Sequence, residues 1–241
     1  MPALAIATDL SDDAHALVRL VEARHSCRGF LPTPVPRATI DTMLTIAQGA
    51  ASWCNSQPWE VIVTEGEATN RFRDKLYAFA TNQNWADQGN RPERPDFPFP
   101  ARYVGIYKDR QRKTGWALYQ AVGVAHGDRA GSGRQMLENF RLFGAPHVMI
   151  ITTEEDLGTY GAIDCGGYVA HVLLAAQSLG LATIPQAALA GVADFVRDWF
   201  AIPKHRKIVC AISFGYADPE HPANSFRTTR EKLENVVRYV G

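Results

Sequence analysis

Residues 24–30 read Arg24-His25-Ser26-Cys27-Arg28-Gly29-Phe30, and residues 52–59 read Ser52-Trp53-Cys54-Asn55-Ser56-Gln57-Pro58-Trp59. The first stretch sets two guanidinium groups, an imidazole and a hydroxyl at the end of an amphipathic segment, more donor capacity than a turn consumes. Arg24 and Arg28 can each fork onto a phosphate or a polarised carbonyl, with Ser26 adding a hydroxyl bond between them. In an extended chain residues 24, 26 and 28 point the same way, so all three could line one face of a ligand. These residues alone would equally suit a solvated basic turn. The second polar cluster, reached after an intervening helical pattern, tips the reading toward a shared anion-binding site.

Working outward, Ser11 followed by Asp12 and Asp13 marks a helix start, a capping hydroxyl with acids at the positive end of the dipole. Ala14, Leu17, Val18 and Val21 continue it at helical spacing, so the helix delivers Arg24. Pro32, Pro34 and Pro36 then forbid regular structure. A second helix over about 38–50 leads into the polar cluster, and the alternating, β-branched run 59–64 predicts a strand directly after it. Phe30 and Trp59 are assigned to the core. A third helix is expected over about 67–81. The segment 82–101, rich in proline and carrying Trp85, Phe97 and Phe99, is irregular and too long for an ordinary connection, which points to a functional or flexible excursion reaching about residue 125. Helical pattern returns near Trp116 and Tyr119. Aromatics are more often packing than ligand contacts, yet this concentration suits a planar, apolar substrate.

Downstream, 147–152 reads as a buried strand. The longest helix follows over about 159–179, with small residues Ala162, Gly166, Gly167 and Ala170 open to close approach by another backbone; it reads as central and as a candidate interface helix. Gly180 ends it. After the short apolar run 182–186 come a helix over about 191–200 and a strand over 207–214 that is apolar on both faces. An irregular tail carries Arg227 and Arg230 before a last β-like run, 236–240.

The 241 residues are 46% hydrophobic, ample for one sizeable core, and no linker divides them, so one domain over 1–241 is expected. Lys plus Arg equals Asp plus Glu at 25 each, leaving no global field to attract nucleic acid or an anionic membrane. Cys27, Cys54, Cys165 and Cys210 are far apart without metal-like spacing, which suits reduced thiols in the cytoplasm. Residues 1–7 form too short an apolar run for a signal peptide, and no apolar stretch approaches the ~20 residues of a membrane helix.

No Gly-x-Ser-x-Gly elbow and no His-Glu-x-x-His is present, which removes the common hydrolase and zinc-protease signatures; the scattered histidines predict no metal site. Gly131-Ser132-Gly133-Arg134 lacks the preceding strand and the Gly-Lys-Ser/Thr of a phosphate loop, and no dinucleotide fingerprint follows the first strand.

Arg-His-Ser-x-Arg-x-Phe followed by Asn-x-Gln-Pro-Trp resembles the FMN-dependent nitroreductase family, most nearly its bacterial members that reduce nitrobenzoates and other nitroaromatics. Three later segments agree in order and spacing: 139–146 (Asn-Phe-Arg-Leu-Phe-Gly-Ala-Pro), 178–186 (Ser-Leu-Gly-Leu-Ala-Thr-Ile-Pro-Gln), and a tail from Phe214-Gly215-Tyr216 to Arg230. The resemblance implies an α+β three-layer sandwich, a central mixed but mostly antiparallel sheet flanked by helices, in a homodimer whose C-terminal strand is open to exchange between subunits. It implies that Arg24, Ser26 and Arg230 hold the FMN phosphate with His25 alongside. Arg28 and Arg141 would lie toward the pyrimidine and ribityl side, Asn139 at the ring edge, and Pro185, Gln186 and Ala187 near the flavin N5. Arg227 is a further cofactor contact, while Ser52, Asn55 and Gln57 would reach the site from the partner subunit.

The chemistry so implied is hydride transfer from NADH or NADPH through FMN to a nitroaromatic or quinone in a ping-pong cycle, with no side chain acting as nucleophile and no metal. Substrate contacts are expected from Trp53, Trp85, Phe97, Trp116 and Tyr119. One departure stands out: many relatives carry Pro-Ser-Gly where this chain has Ala51-Ser52-Trp53, so Trp53 would reshape that wall. Reductive dehalogenation on the same fold, and flavin binding without turnover, remain alternative readings.

Overall fold

In the computed structural model, residues 9–87 and 92–241 are described, so the expectation concerning residues 1–7 lies outside them. Four strands, β1 (Glu60–Val63), β2 (His147–Glu154), β3 (Ala182–Gln186) and β4 (Arg206–Gly215), form one sheet in the order β1-β2-β4-β3. Its three ladders are antiparallel. A parallel bridge between Ser26 and Thr183 adds the mixed character expected.

β2 and β4 are central and buried on both faces, and their side chains alternate between two apolar layers. Met149, Ile151, Ile212 and Phe214 face one layer with Ile40 and Met43 of α2 (Arg37–Ala47) and Tyr168 and Val172 of α6 (Gly158–Ser178). Val148, Ile150 and Ala211 face the other with Phe72 and Leu76 of α3 (Gly66–Asn82) and Val196 of α8 (Ala193–Phe200). Each fully buried Ile, Val, Leu or Phe contributes roughly 1.5–3 kcal/mol, so the two layers are what hold the sheet. Trp59 stacks on Tyr168 and Phe30 is buried, as the sequence suggests. The remaining helices are α1 (Asp12–Ala23), capped by Ser11 through the Ala14 N–H, α4 (Gly105–Ala121), α5 (Arg129–Leu137) and the short α7 (Ala187–Ala190).

Three expectations change. The excursion is not irregular as far as residue 125, because α4 occupies most of its second half. None of its residues is buried, so only its last turns, near Trp116 and Tyr119, read as helical in the sequence. The part from Pro92 onward is tied down: Arg94 N–H donates to the Gly191 carbonyl, and Asp96 accepts from Arg197 at 2.6 Å and from the Ile208 N–H at 2.7 Å. Third, 236–240 forms no strand. A short turn at Leu233–Asn235 precedes it, and Val236, Tyr239 and Val240 are exposed. β propensity alone does not make a strand; a pairing edge must be available, and none meets this run within one chain.

Candidate functional site

Residues 24–30 lie extended along the edge of the sheet. The Cys27 N–H donates to the Thr183 carbonyl at 3.0 Å, Leu31 N–H to Tyr216 O at 2.9 Å, and Asp218 N–H to Gly29 O at 3.0 Å. This threading buries Cys27 and Gly29 and leaves Arg24, Ser26 and Arg28 part-exposed, the alternation an extended chain produces, before Phe30 turns into the core. Gly29 is required by packing: a Cβ there would lie 2.1 Å from His221 Cγ.

The turn that follows β4 is fastened back onto this stretch by Asn224. Its Oδ1 accepts the Arg28 N–H at 2.7 Å, and its Nδ2 donates to Gly29 O at 2.8 Å and to Asp218 O at 2.9 Å. The chain then returns through Phe226 to Arg230. Arg24, His25, Ser26 and Arg28 thereby share a cavity of about 170 Å³ with Arg227 and Arg230, together with Thr114 of α4, Phe226 and Thr228. Four guanidinium groups and an imidazole meet here, and no carboxylate is among the described residues of its lining.

The electrostatics carry the mark of that imbalance. Burial and then the charge of Arg230 lower the Arg24 pKa, and burial lowers that of Arg28. His25 is lowered by burial, against a hydrogen bond to Ala23 O that raises it, and further by Arg227, Arg24 and Arg28. Its Nδ1 meets the Ala23 carbonyl at 3.2 Å, while its Nε2 is buried without a partner. Unsatisfied donors and uncompensated cations on a common wall are what a bound phosphate would satisfy. Arg28 also reaches Ser26 O at 3.2 Å and lies over the Phe226 ring.

At the far end of β3, Gln186 is buried and fixed. Its Nε2 donates to the Asn139 carbonyl at 2.9 Å and its Oε1 accepts from Ser213 Oγ at 2.5 Å. Its side chain is committed to holding Asn139, so the backbone of Pro185-Gln186 and the exposed Ala187 are what this strand end can offer a ligand. Arg141 stands outside the cavity: it lies over the Tyr77 ring, 4.2 Å from its centroid, and 3.7 Å from Glu138.

The Ser52–Gln57 loop is exposed and conformationally costly. Cys54, Asn55 and Gln57 have φ of 53°, 55° and 44°, a region non-glycine residues seldom adopt and which concentrates at functional segments. Its bonds run to α6, α2 and itself: Trp53 N–H to Asp164 Oδ2 at 3.1 Å, Gln57 N–H to Ser52 Oγ at 2.9 Å, and Gln48 Nε2 to Gln57 Oε1 at 3.3 Å. The exposed Trp53 ring meets Tyr160 of α6 at 4.4 Å. Within one chain these residues therefore do not join the Arg24 cavity.

The aromatic residues expected to touch substrate divide. Trp85 is only 1% exposed, edge-on to Phe140 and closely packed on Gly191, so it belongs to the core; an irregular sequence context gives no period from which burial could be read. Phe97 is half-buried beside the anchored Asp96. Trp116 and Tyr119 sit on α4, which also brings Thr114 to the cavity, with Trp116 exposed and stacked on His126 at 4.4 Å. Thr114, Asn224 and Phe226 were not legible as site residues: each is an ordinary residue placed there by tertiary fold. Among the described residues no group of His, Cys, Asp or Glu could hold a metal, and no helix is long and apolar enough to cross a membrane. His147, with Nε2 accepting from Val35 N–H and Nδ1 bonded to Thr64 O, is a satisfied core histidine.

Against known proteins, the Nitroreductase family profile matches residues 21–216. The chain is 34% identical to a 4-nitrobenzoate reductase of Pseudomonas putida over 232 residues, 96% of this chain and 97% of that protein. It is 33% identical to a 4-nitrobenzoate reductase of Nocardioides sp. over 92% of this chain and 88% of that one. Among solved structures, the FMN-dependent nitroreductase NfnB from Mycobacterium smegmatis, in complex with NADPH, superposes with a TM-score of 0.88 at 32% identity, covering 95% of this chain and all of that one.

Proposed function

The chain belongs to the nitroreductase family, and from that premise we propose that it is an NAD(P)H-dependent FMN enzyme that reduces nitroaromatic compounds, with nitrobenzoates the first class to test. The observation that carries this reading is the cavity at the sheet edge, where Arg24, His25, Arg28, Arg227 and Arg230 converge without a carboxylate. A phosphomonoester fits that donor set: it would take the forks of Arg24 and Arg230, the Ser26 hydroxyl and, once His25 is protonated, its unpaired Nε2–H. Bound there, FMN supplies hydride acceptance from NADH or NADPH and delivery to the nitro group.

The protein's part is placement and charge. Arg28, half-buried and facing the cavity, would favour negative charge at the pyrimidine edge, and the Gln186–Asn139 bond would hold Asn139 for that edge. The backbone of Pro185-Gln186 bounds the other end. No side chain need bond covalently to substrate.

The site is completed in a homodimer on this reading. The exposed face of α6 presents Tyr160, Ile163, Gly166, Gly167 and Ala170, and a Cβ added at Gly166 or Gly167 would meet nothing within 4 Å. Such a face suits close approach by a second copy, which would bring the strained Ser52–Gln57 loop to the partner's cofactor. The four free thiols suit the reducing cytoplasm.

The test is direct. The purified protein should carry a flavin spectrum, bleach anaerobically on addition of NADH or NADPH, and regain colour with 4-nitrobenzoate. A flavin-loaded protein that is not reduced by either nucleotide would leave only a binding role, and one re-oxidised by halogenated aromatics but not by nitro compounds would move it to dehalogenation.

A further inference from the structure

Arg227, Thr228 and Arg230 line a second cavity besides the one they share with Arg24. It measures about 310 Å³, and its opposite wall is α4, which contributes Arg110 and Lys113. Thr114 borders both cavities, so the two lie side by side.

The guanidinium groups between them are not neutralised by acids. Arg227 donates to the carbonyls of Asn224 and Phe226, and Arg230 to Thr228 Oγ1 and the Thr229 carbonyl. Among the described residues, neither they nor Lys113 has an ion-pair partner. Arg110 alone is paired, with Glu231 at 2.5 Å, and Glu231 is further occupied by Asn235. Asp109, one turn from Lys113 on α4, is the other acid facing this cavity.

Across both cavities Arg24, Arg28, Arg110, Lys113, Arg227 and Arg230 stand against Asp109 and Glu231. A phosphomonoester seated beside Arg24 supplies a charge of about −1.5 to −2. Roughly two positive charges then remain over the two cavities together, with Lys113 the cation of the α4 wall that no ion pair among the described residues engages, a surplus that suits a second phosphomonoester.

We propose that this second cavity is an anion subsite for the 2′-phosphate of NADPH, with Lys113 its principal contact, so that the enzyme prefers the 2′-phosphorylated nucleotide. The inference rests on the proposed function, since it assigns a donor to that flavin site. NADH carries no second phosphomonoester and would leave Lys113 unpaired. A carboxylated aromatic acceptor is the competing source of negative charge, and the experiment separates the two.

Calorimetry on the FMN-loaded protein would compare adenosine 2′,5′-bisphosphate with 5′-AMP, and stopped-flow flavin reduction would compare NADPH with NADH. The expected result is binding of the bisphosphate about tenfold tighter, with the advantage lost in Lys113→Met and kept in Lys113→Arg, and the NADPH to NADH ratio of kcat/KM falling in step. Raising salt should erode the same advantage. Equal affinity for the two nucleotides, or a preference untouched by Lys113→Met, would overturn the proposal while leaving the flavin reading intact. So would a Lys113→Met enzyme that keeps its donor ratio but loses discrimination between 4-nitrobenzoate and uncharged nitrobenzene, which would give the subsite to the acceptor. A protein that binds no FMN would overturn both readings together.

Discussion

Arg24 and Arg230, drawn from opposite ends of the chain, line the same cavity, and the charge of Arg230 adds to burial in lowering the Arg24 pKa. Two like charges brought together by the fold are a cost in the empty protein and an asset once an anion lies between them. If FMN phosphate is that anion, cofactor binding is tied to stability: a ligand that binds only the folded state raises its melting temperature by mass action.

Replacing Arg24 by alanine should weaken FMN binding about ten- to a hundredfold, the scale of a charge-assisted hydrogen bond worth roughly 1.5–3 kcal/mol. The apoprotein should not lose stability in the same proportion, because the repulsion from Arg230 goes too. Flavin fluorescence titration and melting curves with and without phosphate would show it. An unchanged dissociation constant would remove Arg24 from the phosphate site.

The site's two halves differed in how plainly the sequence announced them. Arg24, Ser26 and Arg28 were legible because an extended stretch dense in donors reads locally, and the structure keeps all three on one cavity. Arg227 and Arg230 were reachable only by resemblance, since what brings them back is Asn224 and its three backbone partners. The strands were legible where both faces are apolar, as in β2 and β4, and α4 only in its last turns near Trp116 and Tyr119, because it buries none of its residues. Trp85 misled for a related reason: an aromatic residue in a proline-rich segment looks the same in sequence whether it faces a ligand or Phe140.

His25 gives the apoprotein a pH signature. Its pKa is held below the ordinary 6.5 by burial and by Arg227, Arg24 and Arg28. Below pH 6.5 the unfolded chain takes up a proton that folded His25 resists, so stability should fall as pH falls through that region. His147, lowered by burial, acts with the same sign. Urea midpoints of the apoprotein should drop between pH 7 and pH 5.5, by less in His25→Gln, with the His147 share remaining. Saturating phosphate should shrink the difference between wild type and variant; a difference that phosphate leaves untouched would show that His25 does not face the anion.

Ile163 is 58% exposed on α6, so a charge placed there should not disturb the folded protomer. On the homodimer reading, Ile163→Glu buries that charge against the partner, and the dimer should dissociate at concentrations where wild type is intact. Flavin should be lost with it, because Ser52, Asn55 and Gln57 would no longer reach the neighbouring site. Sedimentation velocity followed at the flavin absorbance reports both at once. A flavin-loaded Ile163→Glu monomer would show that one chain suffices.

Trp85 and Trp116 should part company on substitution by alanine. Trp85 is buried against Phe140 and Gly191, and truncating a buried Trp costs about 3–5 kcal/mol, so Trp85→Ala should lower the melting temperature sharply while the surviving enzyme keeps its ratio of rates among nitro acceptors. Trp116 is 44% exposed on α4, the helix that also reaches the cavity, and its loss should leave stability nearly unchanged. If α4 forms the acceptor wall, Trp116→Ala should shift the ratio of kcat/KM between two nitro substrates by about tenfold, the scale of one lost apolar contact. Contacts made to the acceptor alone leave the other half of a two-stage cycle untouched, so reduction of the bound flavin by NADPH should keep its wild-type rate. Stopped-flow traces of the two half-reactions decide it: slowing of both halves together, with acceptor ratios constant, would make Trp116 part of the scaffold as Trp85 is.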